Sequence, residues 1–137
     1  MKFLVDANVL SELSRASPSA EVIDWLRRHE ADLAIDPVIL GELHFGVLLL
    51  PKGKRRAALE QWFATTVKTI PCVTWTSETA LRWASLLAAL RRRGKAMPVK
   101  DSLIAATALE HDLTVVTRNV RDFSAAGVRI VDPFAVH

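Results

Sequence analysis

Short apolar runs that alternate with helical patterns constrain the fold of this chain more than any other feature. Buried strands are predicted at Lys2–Val5, Asp32–Ile35, Thr114–Thr117 and Val128–Val131, with a weaker candidate at Cys72–Thr74. Strands that alternate with helices are typical of a parallel sheet with helices on both faces. We therefore expect an α/β fold. The length of 137 residues, without an internal repeat or linker, predicts a single domain over residues 1–137.

Capping signals and helix breakers predict where the helices begin and end. Ser17 followed by Pro18 is a typical helix start, and Ser77 is the predicted cap of a long helix that stops before Gly94. The stretch Pro37–Leu50 is apolar almost all round, so we expect that helix to be buried. The predicted helices are Val9–Arg15, Pro18–His29, Pro37–Leu50, Lys54–Val67, Ser77–Arg93, one that begins at Pro98 and carries Asp101, Ile104, Ala105 and Ala108, and a short turn at Val120–Ala125.

Composition argues against several classes of protein. Half of the residues are hydrophobic and 24% are charged, as in ordinary globular domains. Cys72 is the only cysteine, which excludes an intrachain disulfide and a thiolate metal site and favours a reducing, cytoplasmic setting. No apolar run approaches the ~18 residues of a membrane span, and the N-terminus lacks a signal-peptide core, so we expect no membrane partner.

Basic residues are concentrated in two short clusters. The formal net charge is +3, and eight of the eighteen Lys and Arg residues lie in these clusters. Clustered cations can neutralise the phosphates of a nucleic acid, but they also suit helix C-termini, and both interpretations are kept for the second cluster. The first basic cluster is Lys52, Lys54, Arg55 and Arg56, and the second basic cluster is Arg91, Arg92, Arg93 and Lys95.

Four acids fall where parallel α/β proteins place their sites. Asp6 directly follows the first strand, Asp122 follows a later strand, Asp101 opens a helix, and Glu42 lies within an apolar helix. Each acid by itself has an ordinary explanation as a helix cap, a turn residue, a dipole partner or an exposed helix position. Together they predict an all-oxygen site that suits Mg²⁺ or Mn²⁺, because clustered carboxylates need a cation to stay ionised together.

Each of these acids lies in a recognisable motif. The motifs are Phe3–Glu12, Leu40–Gly46, Asp101–Ala108 and Thr117–Phe123. In order and spacing they resemble PIN-domain nucleases, specifically the VapC/FitB-like toxins of type II toxin–antitoxin modules, across essentially the whole chain. The resemblance implies a three-layer α/β/α fold and Mg²⁺-dependent endoribonuclease activity on tRNA or ribosomal RNA, with Mn²⁺ able to substitute. It also implies a cognate antitoxin, a homodimer or a larger complex with the antitoxin, and a cytoplasmic location.

The resemblance also assigns roles to residues. The acidic quartet of the family is matched by Asp6, Glu42, Asp101 and Asp122, its supporting polar positions by Asn8, Thr117 and Asn119, and the two basic clusters become candidates for RNA binding. We expect Asp6 and Asp101 to bind the principal metal, and Glu42 and Asp122 to bind a second ion or its waters. The expected products carry a 5′-phosphate and a 3′-hydroxyl. Ala7 departs from the pattern, because many relatives carry a hydroxyl residue there.

Other functions compete with this expectation. A FitB-like module of the same fold could bind nucleic acid or a partner without cleaving, although four clustered acids favour catalysis. A phosphoacceptor domain would need paired acids after the first strand, where Asp6 is followed by Ala7. The five glycines form no Gly-x-Gly-x-x-Gly nucleotide motif. The apolar helix Pro37–Leu50 and the helix around Trp62 are candidates for a groove that receives an antitoxin helix.

Overall fold

A parallel sheet forms the centre of the computed structural model, which describes residues 1–135. Its strands are β1 (Phe3–Val5), β2 (Leu33–Ala34), β3 (Thr114–Val116) and β4 (Ile130–Val131). Their order is β2-β1-β3-β4, so β1 and β3 occupy the middle of the sheet. Every pair is parallel, which confirms the predicted sheet. The last two residues of the predicted domain, Val136 and His137, lie outside the described residues.

Helices connect the strands, as parallel pairing requires. The α-helices are α1 (Ala7–Leu10), α2 (Ala20–Arg28), α3 (Pro37–Leu48), α4 (Lys54–Thr65), α5 (Ser77–Arg92), α6 (Val99–His111) and α7 (Val120–Phe123). Short 3-10 turns lie at Ser11–Ser14, Glu30–Asp32, Val67–Thr69 and Ser124–Ala126. Within residues 1–135, none of the helices has both the length and the apolar character to cross a membrane.

The middle strands are buried on both faces of the sheet. Neighbouring side chains of a strand point to opposite faces, and Leu4, Val5, Val115 and Val116 are all fully buried. Each such side chain stabilises the fold by about 2 kcal/mol relative to an exposed one. The helices must therefore cover both faces of the sheet, and this confirms the three-layer α/β/α fold. The apolar stripe predicted on α6 contributes to this core through Ile104, Ala105 and Ala108.

The predicted start of α2 is wrong by a few residues. The helix begins at Ala20 and its cap is Ser19, whose Oγ accepts a hydrogen bond of 3.4 Å from Val22 N. Glu12 Oε1 accepts a hydrogen bond of 2.9 Å from Ser19 N and so holds the cap residue in place. The Ser17-Pro18 signal is local, whereas the cap that forms depends on this contact with a preceding turn.

The cap of α5 is Thr76 and not the predicted Ser77. Thr79 N donates to Thr76 Oγ1 at 3.4 Å, and Thr76 N donates to Thr79 Oγ1 at 3.1 Å, which is a reciprocal capping box. Ser77 is the first residue inside the helix. Two adjacent hydroxyl residues give the same local signal, and the position of the first helical turn decides between them.

Helix α3 is only partly buried, contrary to the prediction. Its core-facing stripe is Ile39, Leu43 and Val47, spaced by four residues. On another side of the helix, Phe45 is 62% exposed and Leu49 is 67% exposed. The prediction is wrong because an apolar composition does not ensure that another segment packs against every side of a helix. In the described part of the chain, these side chains remain exposed to solvent.

The weak strand candidate at Cys72–Thr74 forms a single bridge. Cys72 pairs with Ile35 in parallel, and Val73 N donates to Ile35 O at 2.7 Å. This segment therefore extends the sheet beside β2 by one residue pair and does not form a strand. Other boundaries differ from the prediction by a few residues. For example, α1 begins at Ala7 because Asp6 caps it.

We predict that Thr76→Ala lowers the free energy of unfolding by about 1 kcal/mol, because it removes the acceptor for the N–H of Thr79. Ser77→Ala at the neighbouring, exposed position should change it by less than about 0.5 kcal/mol. Urea unfolding monitored by circular dichroism measures both. Equal losses in the two variants would contradict the assignment of Thr76 as the cap.

Candidate active site at the carboxyl edge of the sheet

The two middle strands bring Asp6 and Thr117 together at the carboxyl edge of the sheet. Asp6 directly follows β1 and Thr117 directly follows β3, and the register pairs Val5 with Val116 just before them. Thr117 Oγ1 donates a hydrogen bond of 2.8 Å to Asp6 Oδ2. Two residues that lie 111 positions apart in the sequence therefore form one side of the site.

The carboxylate of Asp6 is buried and held by several donors. Its Oδ1 accepts a hydrogen bond of 2.8 Å from Ala7 N, which caps α1. Burial raises the pKa of Asp6, whereas hydrogen bonds from Thr117 and Ala7 and the charge of Lys100 lower it. The pKa remains above its ordinary value, so the fold stabilises the ionised form of Asp6 less well than water does.

The supporting polar residues lie beside Asp6, although one of them acts through its backbone. Asn8 Nδ2 lies 3.4 Å from both Asp6 Oδ2 and Thr117 Oγ1, and Asn8 Oδ1 accepts a hydrogen bond of 3.2 Å from Arg118 N. Asn119 is exposed, and its backbone N–H donates to Thr117 Oγ1 at 3.0 Å. The position predicted for a polar side chain therefore contributes an amide that orients the Thr117 hydroxyl.

Asp101 lies in the first turn of α6, as predicted, and it is buried. Its Oδ1 is buried without a hydrogen-bond partner in the described part of the chain. Burial raises the pKa of Asp101 from 3.8 to about 6, and the negative charges of Asp6, Asp122 and Glu42 add to this shift, while Lys100 opposes it. The acid therefore lies among the other three members of the predicted quartet.

Glu42 on α3 forms an ion pair that the sequence did not predict. Its Oε2 lies 2.7 Å from Lys100 Nζ, and its Oε1 is buried without a hydrogen-bond partner in residues 1–135. Burial raises the pKa of Glu42, and the hydrogen bond from Lys100 opposes this effect. Lys100 directly precedes Asp101, but this position does not reveal that its side chain contacts α3. The pair joins α3 to α6 across the site.

The four acids lie within electrostatic reach of one another, but they do not form a closed ligand shell. Asp122 is half-buried in α7, the helix that follows β3, and its negative charge raises the pKa of Asp101. In residues 1–135, no three His, Cys, Asp or Glu side chains form a group that could hold one metal ion. The structure therefore gathers the predicted quartet around one region without assembling a ready metal site.

Two carboxylate oxygens nevertheless fit a divalent cation. Glu42 Oε1 and Asp101 Oδ1 are both buried and unpartnered within the described residues. A buried carboxylate oxygen without a partner is costly, and a hard cation such as Mg²⁺ is a suitable partner for it. The site offers oxygen donors, which favours Mg²⁺ or Mn²⁺ over zinc. These two oxygens, one on α3 and one on α6, are therefore the donors best suited to such a cation.

A groove of about 370 Å³ adjoins the acids. Its lining includes Asn8 and Glu42 from the site and, further along, Ser14 and Trp62. Arg55 Nη2 donates to Ser14 O at 3.1 Å, so the first basic cluster begins at the rim of this groove. The groove thus links the acids to a positively charged surface.

The two basic clusters differ in their position relative to the acids. In the second basic cluster, at the C-terminal end of α5, Arg93 Nη2 donates to Ala125 O at 2.8 Å. In the first basic cluster, Arg56 pairs with Glu60 at 2.9 Å. The other members of both clusters are exposed. No contact in the described residues ties the second basic cluster to the acids, whereas the first basic cluster adjoins their groove.

The fold and the acids at its strand ends define a small parallel α/β domain of the kind that PIN domains represent. The PIN domain family profile matches residues 3–128, and the chain therefore belongs to the PIN-domain family. It is 31% identical to the VapC ribonuclease Y4jK of Sinorhizobium fredii, with 96% of each chain covered. It is also 31% identical to Toxin FitB of Neisseria gonorrhoeae, with 96% of this chain and 97% of the relative covered.

A solved structure shows the same fold in detail. The crystal structure of FitAcB from Neisseria gonorrhoeae superposes with a TM-score of 0.91 at 30% identity, covering 98% of this chain and 99% of that one. The resemblance to PIN domains of the VapC/FitB kind, expected from the four motifs, is thereby confirmed.

We predict that Asp101→Asn stabilises the metal-free protein at pH 7 by about 1 kcal/mol, because the substitution removes a buried charge although the amide must still be desolvated. The pKa of Asp101 is higher in the folded chain, about 6 against 3.8, so the folded state binds this proton more tightly. Stability from this group is therefore greatest below about pH 4, falls as the pH rises to about 6, and is constant above.

Thermal unfolding in EDTA between about pH 4 and about pH 8 tests this prediction, because this window spans both the ordinary and the raised pKa of Asp101. The difference between the variant and the unsubstituted protein should grow from about pH 4 to about pH 6 and stay constant above. Asp24→Asn is the control, since Asp24 is an exposed acid outside the site. A variant that is less stable than the unsubstituted protein at pH 7 would contradict the prediction.

Proposed function

We propose that this protein is a Mg²⁺-dependent endoribonuclease, with Mn²⁺ able to substitute, and that it acts as the toxin of a toxin–antitoxin module. The observation that carries the proposal is a pair of buried oxygens, on Glu42 and Asp101, that have no hydrogen-bond partner within residues 1–135, together with the buried carboxylate of Asp6. The name of the related VapC ribonuclease states the same class of activity for that protein. An acidic, all-oxygen site at the carboxyl edge of a parallel sheet suits metal-assisted phosphodiester hydrolysis.

The four acids divide the work of holding the cations. Asp6 and Asp101 would hold the principal cation, and Glu42 and Asp122 would hold a second ion or its waters. When bound, Mg²⁺ supplies Lewis-acid chemistry, which makes water a better nucleophile at neutral pH and neutralises charge on the phosphodiester. Because Asp6 is already oriented by hydrogen bonds, it loses little conformational freedom when it binds a ligand.

Two further side chains prepare the site for an anionic substrate. Thr117 fixes the Asp6 carboxylate through the 2.8 Å hydrogen bond, and Lys100 balances the charge of Glu42 at 2.7 Å. Water attacks the phosphorus in line and the 3′ oxygen leaves, so the products carry a 5′-phosphate and a 3′-hydroxyl. This reaction does not use the 2′-hydroxyl of the RNA as a nucleophile.

The groove beside the acids is the proposed path of the RNA, which is a tRNA or a ribosomal RNA. The first basic cluster lies at the rim of the groove and pairs with phosphates there, and the second basic cluster extends the contact surface. Trp62 also lines the groove, and its indole nitrogen is buried without a hydrogen-bond partner within residues 1–135.

An antitoxin and a second copy of the chain complete the proposed assembly. Phe45 and Leu49 expose apolar surface on α3, next to Gly46 and Val47 in the groove lining. Such a surface suits an apolar helix of an antitoxin laid along the groove. The name of Toxin FitB states a toxin role for that relative. We place the action of this protein in the cytoplasm, as a homodimer or a larger complex with its antitoxin.

A non-cleaving module of the same fold is the alternative. The observation that favours it is that no three acidic or metal-binding side chains in residues 1–135 form a ready ligand group. In that case the groove and the basic clusters bind nucleic acid or the antitoxin, and the acids serve only to shape the pocket. Metal-dependent cleavage by the purified chain distinguishes the two functions.

We predict that the purified protein cleaves total RNA into discrete fragments in Mg²⁺ or Mn²⁺ and not in EDTA. Asp6→Asn should lower the rate by about 100-fold or more, because it removes a direct ligand of the cation. Asp24→Asn, at an exposed acid outside the site, should leave the rate unchanged. Mapping the fragment ends should show 5′-phosphates. Cyclic phosphate ends, or full activity in Asp6→Asn, would overturn the proposed mechanism.

We predict that Lys52→Gln combined with Lys54→Gln raises KM several-fold with little change in kcat, because both exposed lysines belong to the first basic cluster, whose Arg55 contacts Ser14 in the groove lining. The dependence of cleavage on salt concentration should also become shallower, since fewer phosphates are neutralised. Lys68→Gln, at an exposed lysine outside both clusters, is the control. An unchanged KM and salt dependence would remove the first basic cluster from the RNA path.

A further inference from the structure

Asp36 is a buried acid that the proposed mechanism does not use. It lies beyond β2 at the carboxyl edge of the sheet and is fully buried. Its Oδ1 accepts a hydrogen bond of 3.0 Å from Ile39 N, which caps α3, and its Oδ2 accepts one of 2.8 Å from Thr107 Oγ1. Both oxygens of this carboxylate therefore have donors from the protein itself.

Capping alone does not account for an acid at this position. A serine or threonine hydroxyl caps a helix about as well, and burying a carboxylate costs more free energy than burying a hydroxyl. What the carboxylate adds is a second acceptor, so that Asp36 caps α3 with one oxygen and binds α6 with the other. The second contact is what distinguishes Asp36 from an ordinary cap.

The contact continues as a buried chain of hydrogen bonds. Thr107 on α6 is fully buried and accepts a hydrogen bond of 3.1 Å from Trp75 Nε1, in the segment before α5. A hydroxyl that donates to Asp36 while it accepts from Trp75 is fixed in one orientation. The chain therefore ties α3, α6 and the segment before α5 at one buried point.

This buried point lies at equal distances along the chain from two acids of the site. Glu42 is six residues after Asp36 on α3, and Asp101 is six residues before Thr107 on α6, which is about 9 Å of helix in each case. The Glu42–Lys100 ion pair joins the same two helices near the acids. The spacing of Glu42 and Asp101 is thus set by a buried contact at one end and a half-exposed one at the other.

Electrostatics also connects Asp36 with the site. Burial raises the pKa of Asp36, and the negative charge of Asp6 raises it further. Burial likewise raises the pKa of Glu42, and the charges of Asp6 and Asp36 add to that shift. Asp36 therefore lies close enough for its charge to be felt by two of the proposed metal ligands.

We propose that Asp36, through its hydrogen bond with Thr107, is a positioning residue that sets the spacing of Glu42 and Asp101 and thereby the affinity of the site for a divalent cation. The inference rests on the proposed function, because it concerns the same cation. A residue with a merely structural role would change the stability of the fold and leave cation affinity unchanged.

Thr107→Val tests the proposal, because it removes the hydroxyl and keeps the shape of the side chain. Isothermal calorimetry with Mn²⁺ and no RNA should show affinity weaker by about fivefold to tenfold, because the ligands lose their fixed spacing. The energy of one buried hydrogen bond sets the upper limit of this loss. Thr107→Ser keeps the hydroxyl and should restore affinity to within about twofold. Asp36→Asn keeps an acceptor for the cap and removes the charge, and it should also bind Mn²⁺ more weakly.

Thr79→Val is the matched control. Thr79 is buried on α5 and its hydroxyl donates to Glu110 Oε1 near the C-terminal end of α6, so this variant loses a hydroxyl–carboxylate contact to the same helix and the acceptor for Thr76 N. It should lower the melting temperature and bind Mn²⁺ like the unsubstituted protein.

The outcomes separate the inference from the proposed function. Wild-type affinity in both Thr107→Val and Asp36→Asn, or an equal loss of affinity in Thr79→Val, overturns the positioning role while the metal site stands. If Thr107→Val does not fold, Thr107→Ala takes its place, because Asp36→Asn also removes a negative charge that acts on Glu42 and so does not decide by itself. An unsubstituted protein that binds neither Mn²⁺ nor Mg²⁺ overturns the proposed function and this inference with it.

Discussion

Parallel pairing of β1 with β3 places Asp6 beside Thr117, and the rest of the site is arranged around that contact. The two strands lie in the middle of the sheet and are buried on both faces, so their register is strongly constrained. Each strand ends at the same edge, and the helices that follow carry their side chains to it. Asp101 and Glu42 then approach from α6 and α3, which pack against this frame. A shift of the register would separate Asp6 from its hydroxyl donor.

The fold buries the acids of the site in surroundings that disfavour their ionised form. Three of its acids have raised pKa values, for which burial is the main cause, and two of their oxygens are unpartnered within the described residues. Such an arrangement reduces the stability of the folded chain and is typical of functional sites, where binding a ligand offsets the cost. Lys100 offsets part of it at Glu42. The same features that destabilise the chain are those that favour a divalent cation.

Sequence reasoning located the acids, and its errors have a common physical origin. The strand before Asp6 and the first helical turn that carries Asp101 can be predicted, because each follows from a local pattern. The hydroxyl of Thr117 is expected only through the family resemblance. The caps Ser19 and Thr76 and the exposed side of α3 are not predictable in this way, because packing decides them. The ion pair of Lys100 with Glu42 joins two helices and is hidden from the sequence for the same reason.

The fold class, the order of the elements and four candidate acids can all be inferred from the amino-acid sequence. Apolar runs, helix breakers and motif spacing are local properties of the chain and need no tertiary contact to be recognised. The pairing of side chains is visible only in the folded structure, where Thr117 meets Asp6, Lys100 meets Glu42 and Thr107 meets Asp36. These contacts join distant segments of the chain or different helices, and they form only when the sheet and the helices around it are packed. The local hydrogen bonds of Asp6 and Asp36 cap α1 and α3 but do not bring their distant partners within reach.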